Sequence, residues 1–341
     1  MGRPRTLRAR RIALVLAASL VVAPVAGAVS ARQGTTTATL AARARHRRVA
    51  PLTGLPDPTA VSMRRSALTV KIDNTPMAHP QFGINEADVV YEEIVEGGIT
   101  RLAAVFNSHL PPVIGPVRSV RRTDREIVFP LKGVFAFSGG AAYALASIAT
   151  APVKRYDEAT AGSAMYRDPA RYAPHNLLLN PVKLLAMAGR PTPPRPIFTY
   201  VAKDAPPRGA PVRSFTVNFP AGYAVHYAWD ARTGSWDRSI FGAPDVTASG
   251  ARVSPVNVIV MEVNYIGGVG AMGAEANLVG HGPAMVLSDG RLVRGSWFRS
   301  GVAKATAYRT SNGTVIALRP GQTWVELLGP GETVSLYAPV G

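Results

Sequence analysis

The sequence of 341 residues contains no cysteine. That absence excludes disulfides, thiolate catalysis, zinc sites built on cysteine and an acylated N-terminal cysteine. The folded part of the chain must therefore be stabilised by packing and polar contacts alone.

Long apolar runs are also missing near the N-terminus. The run IALVLAASLVVA, residues 12–23, stops at Pro24, well short of the roughly twenty residues that a membrane-spanning helix needs. An arginine-rich stretch precedes it, and the small residues PVAGAVSA follow. This arrangement predicts a secretory signal peptide over residues 1–31, cleaved after Ala28 or Ala31, and an extracellular or cell-envelope location. An uncleaved membrane anchor is the alternative.

Acidic residues are absent from the first 48 residues, which hold ten arginines. The net charge of the whole chain is +17, but residues 49–341 hold 28 basic and 21 acidic residues, a net charge of +7. A nucleic-acid binder would show a concentrated basic face with interleaved aromatics, so the charge argues against one. Residues 32–50 predict a basic, flexible tether that would contact a membrane only peripherally.

The length allows two domains, and the Pro-rich stretch RPTPPRP marks a boundary between a module at 51–192 and one at 193–341. The first module mixes strand and helix patterns. SALTVKID predicts a strand, and ADVVYEEIVE with TRLAAVFN predicts a hairpin about a Gly-Gly turn. Helices are expected over 117–129, in AAYALASIA and in NLLLNPVKLLAMAG.

The second module is rich in strand and turn patterns. VNVIVMEV and GQTWVELL predict strands, and YAVHYAWDARTGSWDRSI predicts a hairpin. Asp289-Gly290 and Asn312-Gly313 separate alternating runs and are the dipeptides that type I′ turns favour. The predicted fold class is α+β, with a mixed α/β N-terminal module followed by a mostly β C-terminal module.

Several long motifs carry a family resemblance. They include VKIDNTPMAHPQFGINEADVVYEEIVEGGITRLAAVF, IGPVRSVRRTD, FSGG and YRDPARYAPHNL, then VHYAWDARTGSWDRSIFGAPD, DGRLVRGSW and LRPGQTWVEL. Over residues 51–341 the chain resembles the YerB-like bacterial lipoproteins, two-module envelope proteins of unknown function. The resemblance implies an exported, envelope-associated protein and no particular chemistry. Many members carry a lipobox cysteine, which this chain lacks.

Four arginines recur at helical spacing after Gly115-Pro116. If residues 117–129 form a helix, one face holds the residues at i, i+3, i+4 and i+7, which are Arg118, Arg121, Arg122 and Arg125. Of these, Arg118 and Arg121 match the family motif, and we expect them to face a cleft. Guanidinium groups suit carboxylate or phosphate, and a helix N-terminus would add to the attraction for an anion.

Acidic residues accompany these arginines. On a strand, Glu92 and Glu96 would share a face and Glu93 would point to the other. The hypothesis is a polar ligand-binding cleft formed by these glutamates, by the residues that end the preceding strand and by the arginines. Its residues are Asp73, Asn74, Glu92, Glu93, Glu96, Arg101, Arg118 and Arg121. The alternative is a structural network in which arginines and glutamates pair with one another. No metal-ligand spacing is present, so no metal or cofactor is predicted.

The motif MYRDPARYAPHN adds Arg167, Asp168, His175 and Asn176 to the candidate ligand-binding residues. His175 could act as a general base oriented by Asp168. In the alternative, His175 and Asn176 bond loop backbone and cap a following helix. Ser138 in FSGG is a weak candidate nucleophile, because no G-x-S-x-G motif surrounds it.

Tryptophans are confined to the second module, where they could line a sugar-binding platform or fill the core. The four are Trp229, Trp236, Trp297 and Trp324.

Together these patterns predict an exported cell-envelope binding protein. Its expected partner is an anionic cell-wall glycan, a lipid-linked phosphate or an envelope protein. One alternative is a cell-wall hydrolase or transferase, with Glu92, Glu93 or His175 as acid or base and an arginine clamp. Another is a structural subunit of an envelope assembly. The sequence leaves open whether there is any catalysis.

Overall fold

The first half of the folded chain alternates short strands with short helices. A computed structural model describes residues 48–202 and 204–338; the predicted signal peptide and nearly all of the predicted tether lie outside them. The tether's last residues already belong to the fold, since Val49 bridges to Pro56 and Ala50 is buried. The strands of this half are β1 (Leu68–Asp73), β2 (Val89–Ile94), β3 (Thr100–Phe106), β4 (Val134–Ala136), β5 (Lys154–Tyr156), β6 (Met165–Arg167) and β7 (Leu177–Leu179).

Its α-helices are shorter than the sequence predicts. They are α1 (Asp124–Val128), α2 (Ala142–Ala149) and α3 (Pro181–Met187). The expected helix over 117–129 is wrong for its first seven residues, because Val117 pairs with Ile72 and Leu177 in extended conformation. The helix expected in NLLLNPVKLLAMAG, interrupted or started by Pro181, begins at that proline, and the residues before it form β7, which was not predicted.

The second half is formed by strands and turns, as predicted. The strands are β8 (Ala210–Pro211), β9 (Ser214–Asn218), β10 (Ala224–Asp230), β11 (Ser235–Ile240), β12 (Ala243–Pro244), β13 (Asn257–Glu262), β14 (Tyr265–Ile266), β15 (Glu275–Ala276), β16 (Gly280–Ser288), β17 (Arg291–Arg299), β18 (Ala307–Arg309), β19 (Thr323–Leu328) and β20 (Thr333–Tyr337). The turn at Asp289-Gly290 joins β16 to β17, and both residues have positive φ, as a type I′ turn requires.

Both halves of the sequence contribute to one eleven-stranded sheet. Its order is β18-β17-β16-β13-β19-β2-β3-β1-β4-β5, with β8 paired to β17. The junction is β19, which runs parallel to β13 on one side and to β2 on the other. The fold is therefore predominantly β rather than a balanced α+β arrangement, and its central sheet crosses the boundary between the two sequence modules.

A second sheet of five strands has the order β12-β11-β10-β9-β20. Its aromatic residues pack closely, with the ring centres of Phe215 and Tyr227 4.9 Å apart and those of Phe215 and Trp236 5.1 Å apart. Two short ribbons, β14-β15 and β6-β7, complete the strand pairing. None of the helices in residues 48–202 and 204–338 is long and apolar enough to cross a bilayer.

The central strands β1 and β19 are buried along their whole length, and β2 is buried except at Tyr91. Both faces of the sheet are thus covered there. These strands nevertheless carry charged residues, namely Lys71, Asp73, Glu92, Glu93 and Glu326. Because a buried charge without a partner is strongly unfavourable, each of these side chains needs partners, and they determine where polar chemistry collects.

Candidate functional site

The candidate site forms where β1 ends and β3 begins. Asp73 is the last residue of β1, and the antiparallel register places it opposite Arg101 of β3. On its other side, Arg101 lies opposite Glu93 of β2. Directly opposed residues point to the same face of a sheet, so these three charged side chains share one face at one end of the sheet.

Asp73 is fully buried and is shared by two basic side chains. One carboxylate oxygen, Oδ2, lies 2.7 Å from Nδ1 of His175 and 2.9 Å from Nε of Arg118. The Arg118 contact is an ion pair whose angle does not suit a hydrogen bond, since Arg118 Nε has no hydrogen-bond partner. The other oxygen, Oδ1, accepts the Thr75 backbone N–H at 3.1 Å. Asp73 therefore orients the imidazole and holds Arg118 beside it.

His175 was expected to be oriented by Asp168, and that expectation is wrong. Asp168 instead accepts the Ala170 backbone N–H at 2.9 Å and lies 3.9 Å from Arg171. The sequence favoured Asp168 because it is close to His175 along the chain. Asp73 lies 102 positions away, and only the fold brings the two together.

The loop that carries His175 is held by its own polar residues. The Asn176 side chain donates to the backbone oxygens of Asp168 and Arg171, both at 3.2 Å, and accepts from Arg167 at 2.7 Å. Arg167 also pairs with Glu158 at the surface. Asn176 caps no helix, because β7 follows it; the cap of α3 is Asn180, whose Oδ1 accepts the Lys183 backbone N–H at 2.9 Å. Arg167, Asp168 and Asn176 thus position the loop.

Three guanidinium groups crowd around this end of the sheet. Arg121 pairs through Nε with Glu96 Oε2 at 2.7 Å. Arg101 makes a single long contact, from Nη1 to the Ser119 oxygen at 3.5 Å, and its Nε has no partner. Burial lowers the pKa of Arg101 to about 10, and repulsion from Arg121 and Arg118 contributes to the decrease. The attraction of Asp73 and Glu96 acts in the opposite direction. The site therefore holds more positive charge than its carboxylates neutralise.

The arginines of the predicted stripe diverge instead of sharing a helix face. Arg118 contacts Asp73, and Arg121 contacts Glu96. Arg122 lies 3.1 Å from Glu275, and Nε of Arg125 donates to the Thr150 hydroxyl at 2.7 Å. The reason is the extended backbone before α1, in which the Arg118 N–H bonds the Lys71 oxygen at 2.8 Å. Only the first two arginines belong to the site.

Glu92 and Glu93 do not line an accessible cleft, which corrects the expectation for both. Each is 0% exposed. Glu93 pairs with Lys71, which also lies 2.9 Å from Asp124. Because β2 is central and both its faces are covered, its two glutamates point into opposite layers of the protein interior. Glu92 therefore points away from the face that Asp73 and Glu93 share, and residues 48–202 and 204–338 contain no cluster of three metal-ligating side chains.

Glu92 belongs to a buried network that the sequence analysis missed. It accepts hydrogen bonds from Asn74 at 2.9 Å, Thr100 at 2.7 Å and Arg238 at 2.7 Å. Arg238 also pairs with Asp245 and lies 4.5 Å above the Trp324 ring. The charge of Arg238 in the alternating strand SWDRSI is the signal that would have revealed it, since buried arginine requires acidic partners.

A carboxyl group with a raised pKa completes this network. Tyr227 donates its hydroxyl hydrogen to Glu326, whose pKa is raised well above the ordinary range by burial and by the nearby charge of Glu92. His79 extends the network towards the candidate site. Its Nδ1 lies 3.3 Å from Asp245 Oδ1, and its Nε2 lies 3.1 Å from Asn74 Oδ1.

Glu96 marks the other edge of the site. Its Oε1 accepts the Tyr143 hydroxyl at 3.2 Å, and the following turn is held by a backbone hydrogen bond from Gly97 to Gly270 of 2.9 Å. Partial burial opposes ionisation, but Arg121 and Arg101 hold the pKa of Glu96 below its usual range. The glycine-rich segment 267–273 thus borders the arginine cluster.

Other sequence candidates lie elsewhere. Ser138 Oγ is 3.4 Å from Ser119 Oγ, and the structure shows no hydrogen bond between Ser138 and a histidine among residues 48–202 and 204–338. Trp236, Trp297 and Trp324 are buried, so they serve core packing and offer no open platform for a sugar. The remaining candidates lie together at this end of the sheet, some partly exposed and others, such as Asp73 and Arg101, buried. We call them the arginine site: Asp73, Glu96, Arg101, Arg118, Arg121 and His175.

Comparisons with known proteins agree with this two-part organisation. Residues 52–192 match the family model described as the N-terminal domain of a protein of unknown function, DUF3048, and residues 215–325 match its C-terminal domain. A curated relative in Bacillus subtilis (strain 168), named "Putative lipoprotein YerB", is 26% identical over 303 residues, covering 84% of this chain and 88% of that protein.

A solved structure has the same fold. The crystal structure of the YerB protein from Bacillus subtilis superposes with a TM-score of 0.74 at 22% identity, covering 85% of this chain and all of that one. The family models, the relative and the shared fold lead to one conclusion: this chain belongs to the DUF3048 family and is a two-domain, YerB-like member of it.

Proposed function

We propose that this protein is an exported cell-envelope protein that binds an anionic component of the wall through the arginine site. The observation that supports the proposal is the imbalance of charge at that site. Arg118 pairs with Asp73 and Arg121 with Glu96, while Arg101 has no ion pair of its own within residues 48–202 and 204–338; the nearby acids Glu93 and Asp124 pair with Lys71 instead. A bound anion would supply the missing negative charge.

The chemistry of the donors also favours an anion. Guanidinium offers five N–H donors in a planar fork that matches carboxylate and phosphate oxygens. Arg118 has 19% of its side chain exposed and Arg121 has 14%, so both groups are reachable yet shielded enough for charge–charge interactions to exceed those at a fully solvated surface. The unpartnered Nε of Arg101 adds a donor behind them.

The location in the envelope is part of the same proposal. It is supported by the arginine-rich, apolar and small-residue pattern of residues 1–31 and by the lipoprotein name of the Bacillus subtilis relative. Fusion of residues 1–50 to a reporter that is active only outside the cytoplasm tests this part. Activity outside the cell is expected, and a reporter that remains inside would contradict it.

Calorimetric titration with soluble anionic wall-glycan fragments and with inorganic phosphate tests the binding. We expect saturable binding that weakens with salt, and a loss of about ten-fold in affinity in Arg118→Lys, which keeps the charge but removes the planar fork. Arg232→Lys is the matched control, because that side chain is 84% exposed on the turn between β10 and β11. Absence of binding by any anion, or equal losses in both variants, would contradict the proposal.

The pairing of His175 with Asp73 supports a second candidate function. A carboxylate on Nδ1 fixes the tautomer and leaves Nε2 as a base, so the same site could hydrolyse or transfer a group on its ligand, with the arginines stabilising developing negative charge. Incubation with wall fragments, followed by mass spectrometry, separates the candidates. If the protein is an enzyme, His175→Asn abolishes product formation without loss of affinity; if it only binds, no product forms with either chain.

A further inference from the structure

Two hairpin turns of the second sheet pack on residues that neighbour the arginine site, one on Gly98 and the other on His79. The β9–β10 turn approaches the turn after Glu96, since a Cβ at Gly98 would lie 2.9 Å from Pro220 Cβ. The β11–β12 turn consists of Phe241 and Gly242, between the paired residues Ile240 and Ala243. Both turns belong to the C-terminal domain, whereas the arginines belong to the N-terminal one.

Tyr223 connects these turns to the arginine site. It follows the first turn, is 6% exposed, and packs edge-on against Phe241 with the ring centres 5.2 Å apart. Burial raises the pKa of Tyr223, the charge of Asp73 raises it further, and Arg101 opposes both effects. Tyr223 thus links the first turn to Phe241, whose ring also packs on His79, and His79 contacts Asn74 next to Asp73.

Phe241 has an unusual backbone for its residue type. Its φ is 55° and that of Gly242 is 74°, as in a two-residue type I′ turn, where asparagine and glycine are favoured. A bulky side chain at positive φ is strained, and such strain concentrates at functional sites. The ring is nevertheless 38% exposed, and its buried edge packs on Tyr223 and on His79, 5.5 Å away.

Resting on the anion-binding function above, we propose that Phe241 and Tyr223 form an aromatic subsite of the arginine site. The ligand would then be an anionic glycan in which a sugar ring carries the phosphate or carboxylate. The anionic group would contact Arg118 and Arg121, and the apolar face of the sugar ring would pack on Phe241. Pockets that combine aromatic walls with a few charged groups are typical of such small-molecule recognition.

The test is calorimetric titration of the full chain with four probes: inorganic phosphate, N-acetylglucosamine 1-phosphate, N-acetylglucosamine and AMP. The variant is Phe241→Asn, because asparagine suits positive φ and keeps the turn. Phe298→Asn is the control, since Phe298 is an exposed phenylalanine, 53% accessible, on β17. Thermal melts establish that both variants fold.

We expect the sugar phosphate to bind about ten-fold more tightly than phosphate, as one additional aromatic contact warrants. Phe241→Asn should remove that advantage without changing the affinity for phosphate, and Phe298→Asn should change neither. An advantage that survives Phe241→Asn, or tighter binding of AMP than of the sugar phosphate, overturns the subsite but leaves anion binding intact. Failure of every anion to bind overturns both the function and the subsite.

Discussion

Arg238 of the C-terminal domain lies 2.7 Å from Glu92 of the N-terminal domain, and neither side chain is exposed. The two residues are 146 positions apart in the sequence. Asp245 is the second acidic partner of Arg238, and the Trp324 ring covers the guanidinium. The contact surface of the two domains is therefore organised around one buried cation with two carboxylates.

Removing that cation should be strongly destabilising. In Arg238→Met, Glu92 and Asp245 stay buried without their partner, and we expect a loss of about 3–5 kcal/mol in the free energy of unfolding, measured by urea denaturation. Arg232→Met, at an exposed position, should change stability by less than about 0.5 kcal/mol. Equal stability of the two variants would show that the Arg238 network does not stabilise the fold.

Removing Lys71 should also destabilise the fold, by an amount that depends on pH. It is the buried partner of both Glu93 and Asp124, so Lys71→Met should lose about 3–5 kcal/mol at pH 8. Burial raises the pKa of Asp124 to about 6 against the attraction of Lys71, so without Lys71 that pKa rises further. A raised pKa stabilises the fold below the unfolded pKa, and that stabilisation is lost as pH rises. The loss of stability in Lys71→Met should therefore be smaller at pH 5 than at pH 8. Exposed Lys183→Met is the control, with no loss at either pH.

Asp88 should make stability fall as pH rises. Burial raises its pKa to about 6, against the hydrogen bonds from Ser108. Between pH 3.8, the unfolded pKa, and about pH 6, Asp88 holds a proton in the folded chain that it has lost in the unfolded chain. The stabilisation by this proton is therefore complete below pH 4 and is lost by pH 7. The stability of the native chain relative to Asp88→Asn should fall by about 3 kcal/mol over that range.

A surface aspartate provides the control of opposite sign for this pH series. The Arg232 backbone N–H lowers the pKa of Asp230, so any contribution of Asp230 is present above its unfolded pKa and is lost in acid. Unfolding curves of Asp88→Asn at pH 4, 5.5 and 7 measure the first effect, and curves of Asp230→Asn extended below the unfolded pKa of 3.8 measure the second. A flat difference between the native chain and Asp88→Asn would contradict the assignment to Asp88.

The glycine-rich segment beside Glu96 gives a matched pair of substitutions. Both Gly267 and Gly270 have positive φ, at 90° and 69°. A Cβ at Gly270 would lie 2.8 Å from the Gly98 nitrogen, whereas at Gly267 the nearest atom is 4.0 Å away. Gly270→Ala should therefore destabilise the protein by about 1–3 kcal/mol more than Gly267→Ala, measured by thermal unfolding. Equal destabilisation by the two substitutions would show that the segment can move away from Gly98 without a loss of stability.

Local patterns predicted the hairpins well because their determinants are adjacent in sequence. The Asp289-Gly290 dipeptide and the alternation around it are sufficient to specify the β16–β17 pair. The prediction of a helix over 117–129 failed because helical spacing of arginines competes with non-local pairing. Val117 is buried and pairs with Ile72 of β1, and Val120 is buried with its N–H bonded to the Gly139 oxygen. Helical periodicity likewise concealed the short strand β7.

The candidate site was predictable in its residues but not in its pairings. The arginines, Asp73 and His175 were recognisable by residue type and motif. The prediction that Asp168 orients His175 relied on proximity in sequence, but in the folded loop Asp168 contacts other groups and His175 contacts Asp73. Glu92 and Glu93 looked accessible because their partners are distant in sequence: Lys71 lies on another strand of the same sheet, and Arg238 lies on the second sheet.

The position of β19 has a consequence for how the chain must be handled and made. Because Thr323–Leu328 inserts between β13 and β2, a chain truncated at residue 192 would leave β2 as a bare edge strand, with Glu92 facing no cation. Bare edges of that kind promote aggregation. During biosynthesis the same edge stays open until Thr323–Leu328 has been added, so the emerging polypeptide should require protection by a chaperone until β19 has formed.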